Sequence, residues 1–427
     1  MEEKTCFTIK KSPPLAGKAV VGGAKNAILP QIAAAALTEE TVELVRVPRL
    51  ADALEMAEIL RGLGGRADWK NEHLRMNGAL SGTAVAEEHA RKLRASFLFL
   101  GPLLARTGRA TVALPGGCMI GARPVDLHLK GLAAMGAELS VEEGCVQAKC
   151  RRLNGTLIYL DYPSVGATEN LLMAASLARG RTVIENAAKE PEVVDLTEML
   201  IAMGAQISGS GTGTLKIEGV EKLGGVKWQP IPDRIEAGTL MVATAITGGN
   251  VLLQNAKVDH LRPVIAKLRQ AGVDITEYPR SLRVKAERGL RAVDIRALPY
   301  PGFPTDMQAP FAALACAAEG VSTITETVFE NRFLYAGELA RMGAQIHVED
   351  RTASITGSRL TGASVSALDL RAGAMLVLAG LIAEGVTRVE NIERIDRGYD
   401  RLEEKLAGLG APIIRGNGSL AEVLRIG

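Results

Sequence analysis

The sequence predicts an α/β protein of two lobes, each assembled from three similar units. Three observations carry that expectation: a glycine-centred pattern occurs six times, a glycine followed by a β-branched run sits upstream of most copies, and the 427 residues suffice for two domains of ordinary size. The six copies are Leu63-Gly64-Gly65, Met135-Gly136-Ala137, Met203-Gly204-Ala205, Ala271-Gly272-Val273, Met342-Gly343-Ala344 and Leu409-Gly410-Ala411, roughly 70 residues apart. Each closes a helical pattern, as over Val193 to Met203 or Phe333 to Met342, with glycine as the stop. Each then enters a strand such as Glu138-Leu139-Ser140-Val141 or Gln345-Ile346-His347-Val348. The upstream pattern is seen in Gly180-Arg181-Thr182-Val183-Ile184 and Gly385-Val386-Thr387-Arg388-Val389. The unit therefore reads as helix, strand, loop, helix, strand, with parallel crossovers.

The first element, Thr5 to Lys10, reads as a strand that precedes the first unit and can pair with the C-terminal half. Pro230-Ile231-Pro232-Asp233, after the third unit, marks the boundary between lobes. Two similar lobes joined by two strands predict a hinge with chemistry in the cleft.

Composition narrows the class. Apolar residues at 47% and charged residues at 23% are those of a globular chain, and aromatics at 4% leave the core to Ala, Val, Leu and Ile. A net charge of +2 makes no global case for nucleic acid or membrane partners. The five cysteines (Cys6, Cys118, Cys145, Cys150, Cys316) include no CxxC pair, which argues against disulfides and zinc and for a reducing cytoplasm. The histidines show no HExxH or HxH spacing, so no metal is expected. Met1 to Lys11 lacks the apolar core of a signal peptide, and no apolar run is long enough to span a bilayer.

Residues that do not recur from unit to unit are candidates for function. Gly22-Gly23-Ala24-Lys25-Asn26-Ala27 places a lysine beside a glycine pair before a helix expected over Ile28 to Leu37, an anion-site arrangement without Walker spacing. Arg94-Ala95-Ser96 opens an apolar helix. Leu114-Pro115-Gly116-Gly117-Cys118-Met119-Ile120-Gly121-Ala122-Arg123-Pro124-Val125-Asp126 sets a thiol in a glycine-rich loop between a strand (Ala110 to Leu114) and a helix opening near Pro124. Converging backbone N–H groups and the Arg123 fork suit phosphate or carboxylate, and a thiol there is expected to be exposed and reactive. The plain alternative is a small buried hydrophobe in a tight turn.

In the second half, Tyr300-Pro301-Gly302-Phe303-Pro304-Thr305-Asp306-Met307-Gln308 brings a carboxylate to a helix start, where Thr305 or Asp306 could simply be a cap. Glu326-Thr327-Val328-Phe329-Glu330-Asn331-Arg332-Phe333 holds an arginine in a strand-to-helix loop. Asp369-Leu370-Arg371 and Asp396-Arg397 each pair an acid with an arginine, which could be a structural salt bridge. Lys25, Arg123, Arg332, Arg371 and Arg397 are more cations than one carboxylate needs. They suit a substrate bearing phosphate and carboxylate, with a second, diphosphate-bearing partner.

Together with Ser164-Val165-Gly166-Ala167-Thr168, these segments resemble the UDP-N-acetylglucosamine 1-carboxyvinyltransferase (UDP-N-acetylglucosamine enolpyruvyl transferase) branch of the enolpyruvyl transferase family, in matching order from about Gly22 to Leu409. The resemblance implies a two-domain inside-out α/β barrel of six βαβαββ repeats, three per domain. Residues 24–230 would form the N-terminal lobe with the cysteine loop, and 1–23 with 231–427 the C-terminal lobe. It implies transfer of the enolpyruvyl group of phosphoenolpyruvate to the 3′-hydroxyl of UDP-N-acetylglucosamine, the committed step of peptidoglycan synthesis, in the cytoplasm and with no cofactor.

By the same resemblance Cys118 is the general acid and the site of fosfomycin alkylation, and Asp306 takes the proton of the sugar hydroxyl. Lys25, Asn26, Arg123 and Arg397 match phosphoenolpyruvate contacts. Arg94, Arg123, Pro124, Val125, Asp126, Leu127, Ser164, Val165, Gly166, Asp306 and Val328 match UDP-sugar contacts, with Arg332, Asp369 and Arg371 in support. Leu98, Tyr162 and Tyr300 depart from the family pattern. Two competing readings are the sister enzymes acting on shikimate 3-phosphate, which lack the cysteine loop, and a sugar-nucleotide sensor, which would need neither acid nor base.

Overall fold

The computed structural model describes residues 6–114, 125–287 and 289–416, so Cys118, Arg123 and Pro124 lie outside the described residues. The chain forms two compact units. In the described residues, 23–114 and 125–231 make the N-terminal unit, and 6–22 and 232–416 make the C-terminal unit.

One sheet of the C-terminal unit serves as a pattern. Asn250–Gln254 pairs parallel with Ala16–Val20 on one side and antiparallel with Ser281–Lys285 on the other, and the latter pairs antiparallel with Asp274–Tyr278. One parallel and two antiparallel pairings also make the sheets built on Val321–Thr325 and Val386–Glu390. In the last of these, Cys6–Lys10 lies between Val386–Glu390 and Ile413–Arg415, the pairing with the C-terminal half that the sequence predicts. The N-terminal unit repeats the arrangement around Val42–Val45 and Arg181–Glu185. Its third sheet has three strands, Arg109–Ala113, Cys145–Lys149 and Glu138–Glu142, with a lone parallel bridge from Ala84 to Thr111 in the fourth place.

The expected parallel crossovers are present, as where the helix Val165–Ser176 connects the parallel strands Leu157–Tyr159 and Arg181–Glu185. The remaining pairings are antiparallel and include tight hairpins such as that of Glu138–Glu142 with Cys145–Lys149. Glu143 and Gly144, with φ of 50° and 75°, form one such two-residue turn, whose positive φ matches the twist of the flanking strands.

The six recurring glycines have a common physical cause. Gly64, Gly136, Gly204, Gly272, Gly343 and Gly410 all have φ between 89° and 104°, a region that penalises a side chain. At the end of the helix Pro191–Ala202, the N–H of Ala205 donates to the Leu200 carbonyl and that of Gly204 to Ile201, both at 2.9 Å. This pair of bonds satisfies the last carbonyls and turns the chain into the hairpin.

Inside the C-terminal unit, the helices Arg234–Thr247, Gln308–Ala317 and Leu370–Ile382 are buried on nearly every side and pack on one another. The N-terminal unit has the buried helices Lys25–Ala34, Leu100–Thr107 and Val165–Ser176. A helix apolar all round belongs in an interior, and small residues let such helices approach closely. A Cβ on Gly101 would stand 2.3 Å from Asn170 Oδ1, the atom to which the Gly101 N–H donates at 2.6 Å. No helix among the described residues is long and apolar enough to cross a membrane.

Candidate active site

Several of the residues singled out by sequence stand at the N-termini of these buried helices: Lys25, Asn26, Ser164, Val165 and Asp369, with Asp306 and Arg94 in the turns that lead into them. In the N-terminal unit the first helix starts at Lys25, three residues earlier than the sequence suggests, and ends in a 3-10 turn over Ala35–Leu37. Ala24 is extended, and its carbonyl already accepts the N–H groups of Ala27 and Ile28 at 3.1 and 3.0 Å. Lys25 and Asn26 thus occupy the first turn. The Lys25 ammonium pairs with Asp52 Oδ2 at 2.8 Å, and the two side chains are only 12% and 6% exposed. Asp52 escaped the sequence reading because nothing in its neighbourhood marks it; it sits in the first turn of another helix, Ala51–Gly62.

Arg94 opens the 3-10 turn Arg94–Phe99 that leads into Leu100–Thr107, and the helix Lys25–Ala34 packs on this turn. Ser164 caps the third helix, its Oγ accepting the Ala167 N–H at 3.3 Å, and Val165 and Gly166 form the turn that follows. Val125 is the N-cap residue of Asp126–Ala134, a helix that begins at Asp126 and carries Leu127.

Asn170 ties three of these segments together. Its Nδ2 donates to the Phe97 carbonyl at 2.9 Å and lies 3.0 Å from His128 Nδ1, while Oδ1 accepts from Gly101. Nδ1 of His128 is therefore the acceptor and Nε2 carries the proton. Burial, reinforced by the Arg94 charge, pushes the His128 pKa down to about 3, so the ring is neutral. That ring lies against Gly166, where a Cβ would meet Cε1 at 3.3 Å. Arg94, the Asp126 helix and the Ser164–Gly166 turn are brought to one place.

In the C-terminal unit, Asp306 lies in the 3-10 turn Thr305–Met307 that opens Gln308–Ala317. It is not a cap. Its Oδ1 accepts from Arg332 Nη2 at 2.9 Å and its Oδ2 from Arg371 Nη2 at 2.8 Å, and the arginines are 4% and 3% exposed. Burial acts to lower the Arg371 pKa, but the Asp306 charge and hydrogen bond together with Tyr399 and Asp233 outweigh it and the guanidinium is held cationic, 5.3 Å above the Tyr399 ring.

The two acid–arginine neighbours of the sequence are not simple salt bridges. Asp369 caps Leu370–Ile382, accepting the backbone N–H groups of Arg371 at 2.7 Å and Ala372 at 3.0 Å, while the Arg371 side chain goes to Asp306. Asp396 makes a bidentate pair with Arg415, at 2.7 and 2.9 Å, which anchors the short helix Glu393–Asp396 that precedes Arg397. Val328 sits in a loop whose N–H groups reach Glu326, a carboxylate that the sequence reading passed over. Among the described residues, no cluster of three or more His, Cys, Asp and Glu could hold a metal ion. Cations at helix N-termini suit a phosphorylated ligand, and two arginines hold the Asp306 carboxylate ionised and in a fixed position, as an acceptor of hydrogen bonds.

Residues 9–406 match the family model described as EPSP synthase (3-phosphoshikimate 1-carboxyvinyltransferase). A UDP-N-acetylglucosamine 1-carboxyvinyltransferase 1 from Caldanaerobacter subterraneus subsp. tengcongensis is 55% identical, over 96% of this chain and 100% of that protein. The UDP-N-acetylglucosamine 1-carboxyvinyltransferase of Halothermothrix orenii is 51% identical, over 95% and 98%. Among solved structures, the enolpyruvyl transferase NikO from Streptomyces tendae superposes with a TM-score of 0.88 at 26% identity, covering 98% of this chain and 100% of that one. EPSP synthase from Acinetobacter baumannii gives 0.75 at 22% identity, over 96% and 99%, a likeness of fold.

Proposed function

The chain belongs to the EPSP synthase family of carboxyvinyltransferases, and from that premise we propose that it transfers the enolpyruvyl group of phosphoenolpyruvate to the 3′-hydroxyl of UDP-N-acetylglucosamine. The observation that carries the reading is identity of 51–55% with relatives of that name over nearly the whole chain. The fold assignment it favours is an inside-out α/β barrel of three βαβαββ repeats per lobe, with lobes of 24–230 and of 1–23 plus 231–427. Among the described residues, five four-stranded sheets with one pairing scheme, and a three-stranded sixth with a lone parallel bridge in the fourth place, support it. The step would commit sugar nucleotide to peptidoglycan in the cytoplasm.

The chemistry divides among the residues as follows. Lys25, Asn26, Arg123 and Arg397 hold the phosphate and carboxylate of phosphoenolpyruvate. Arg94, the Arg123 to Leu127 run, Ser164 to Gly166, Asp306 and Val328 hold the UDP-sugar. The Cys118 thiol delivers a proton to C3 of phosphoenolpyruvate while the sugar oxygen bonds to C2 and its proton passes to Asp306. The tetrahedral ketal then loses a proton from C3 to the thiolate left on Cys118 as the C2–O bond to phosphate breaks. The Asp306 proton leaves with the phosphate, and enol ether, inorganic phosphate and the starting protonation states remain. Fixed cations serve this path because they are oriented before charge moves. Arg332 and Arg371 keep the Asp306 carboxylate in place.

A second reading, transfer to shikimate 3-phosphate, is favoured by the name of the family model alone. Phosphate release from phosphoenolpyruvate separates the two. It is expected with UDP-N-acetylglucosamine and absent with shikimate 3-phosphate, and the reverse result would overturn the assignment.

A further inference from the structure

Glu326 is 1% exposed, lies beyond the strand Val321–Thr325, and has no place in the chemistry above. Its Oε1 accepts the backbone N–H groups of Val328 at 2.7 Å and Phe329 at 3.2 Å. Its Oε2 accepts the Thr305 hydroxyl at 2.7 Å. One buried carboxylate thus links two loops distant in sequence: that of Val328 and the turn that presents Asp306. Its own backbone is fixed from the far side, since the Glu326 N–H donates to the Arg351 carbonyl at 2.8 Å and the Thr327 hydroxyl to the Ala297 carbonyl at 2.6 Å.

A buried carboxylate is costly unless every acceptor site is used, and here the donors come from the loops that flank the proposed sugar-nucleotide contacts. We infer that Glu326 is a positioning residue for the UDP-sugar, setting the spacing of Asp306 and Val328 without touching substrate. The inference rests on the proposed reaction. It differs from a general packing role because it predicts a loss confined to one substrate.

The variants follow from hydrogen-bond inventory. Glu326→Ala removes both links. Glu326→Gln keeps both, because its carbonyl still accepts the Val328 and Phe329 N–H groups while its amide donates to the Thr305 hydroxyl, which can accept. Thr305→Val cuts one link with little change of volume and serves if Glu326→Ala fails to fold.

The test is steady-state phosphate release, with calorimetric titration of UDP-N-acetylglucosamine into each folded variant. Glu326→Ala is expected to raise Kd and KM for the sugar nucleotide about tenfold, while KM for phosphoenolpyruvate stays within about twofold. Thr305→Val should fall between it and the wild type, and Glu326→Gln should restore near wild-type binding. Unchanged sugar-nucleotide affinity in Glu326→Ala or Thr305→Val, equal weakening of both substrates, or a glutamine variant no better than alanine would each overturn the inference. A wild-type chain that fails to use UDP-N-acetylglucosamine would instead overturn the reaction.

Discussion

In the C-terminal unit an aspartate stands at the start of each buried helix: Asp233 and Asp369 as caps, Asp306 in the opening turn. At the matching places the N-terminal unit has Lys25, Arg94 and Ser164, and no acidic residue occupies the first turn of any of these three helices. A helix N-terminus favours negative charge; the C-terminal unit supplies it from the aspartates at these starts, whereas at Lys25 the paired carboxylate, Asp52, comes from another helix. Placing cations there goes against helix stability. A cation at a helix start complements a phosphorylated ligand, which both proposed substrates are. On the proposed assignment the comparison points to a division of labour, with cations at helix starts in one unit and an arginine-clamped carboxylate in the other, the C-terminal unit, which also adds the Arg397 cation.

The largest effect should come from the clamped base. Asp306→Asn keeps the shape but removes the charge that faces Arg332 and Arg371. Its kcat for phosphate release is expected to fall about 10³-fold. A kcat within tenfold of the wild type would end the role of Asp306 as the proton acceptor.

Next comes Lys25, where binding and stability can be separated. Lys25→Met removes the cation paired with the buried Asp52 carboxylate, expected to lower unfolding free energy by about 3 kcal/mol. Adding Asp52→Asn should recover most of that loss in denaturant titrations without recovering KM for phosphoenolpyruvate. Recovery of both would mean that the pair is structural only.

A smaller effect depends on pH. The folded-state pKa of His128, about 3, lies below the ordinary value of 6.5, so between these values the unfolded chain binds a proton that the folded chain does not. Its contribution to stability is complete above pH 6.5 and is lost as pH falls toward 3. Acidification from pH 7 to 5 should therefore cost about 2 kcal/mol through this residue. In His128→Gln that slope should disappear relative to the wild type; parallel stability curves would show that His128 titrates normally.

Local rules made the repeats legible. Six left-handed glycines, five of them followed by a hairpin and Gly410 by a strand that pairs with Cys6–Lys10, leave a mark that survives in composition and spacing. The placement of candidate residues was legible where they open helices, as Lys25, Arg94, Ser164 and Asp306 do. Their partners were not. Asp52, Asn170 and Glu326 act across elements, and no periodicity records which helix start meets which strand end. The pairs Asp369-Arg371 and Asp396-Arg397 show the same limit from the other side, since neighbours in sequence turn to Asp306 and Arg415 for their ion pairs.

The most direct test of the division of labour is titration of UDP-N-acetylglucosamine into the wild type, Arg94→Gln and Asp306→Asn, with phosphate release measured on the same samples. Arg94→Gln should bind the sugar nucleotide about tenfold more weakly, with a shallower dependence on salt, and keep most of its kcat at saturation. Asp306→Asn should lose far more in kcat than in affinity. An Arg94 variant with unchanged affinity and salt dependence, or an Asp306 variant whose defect lies in binding alone, would contradict the account.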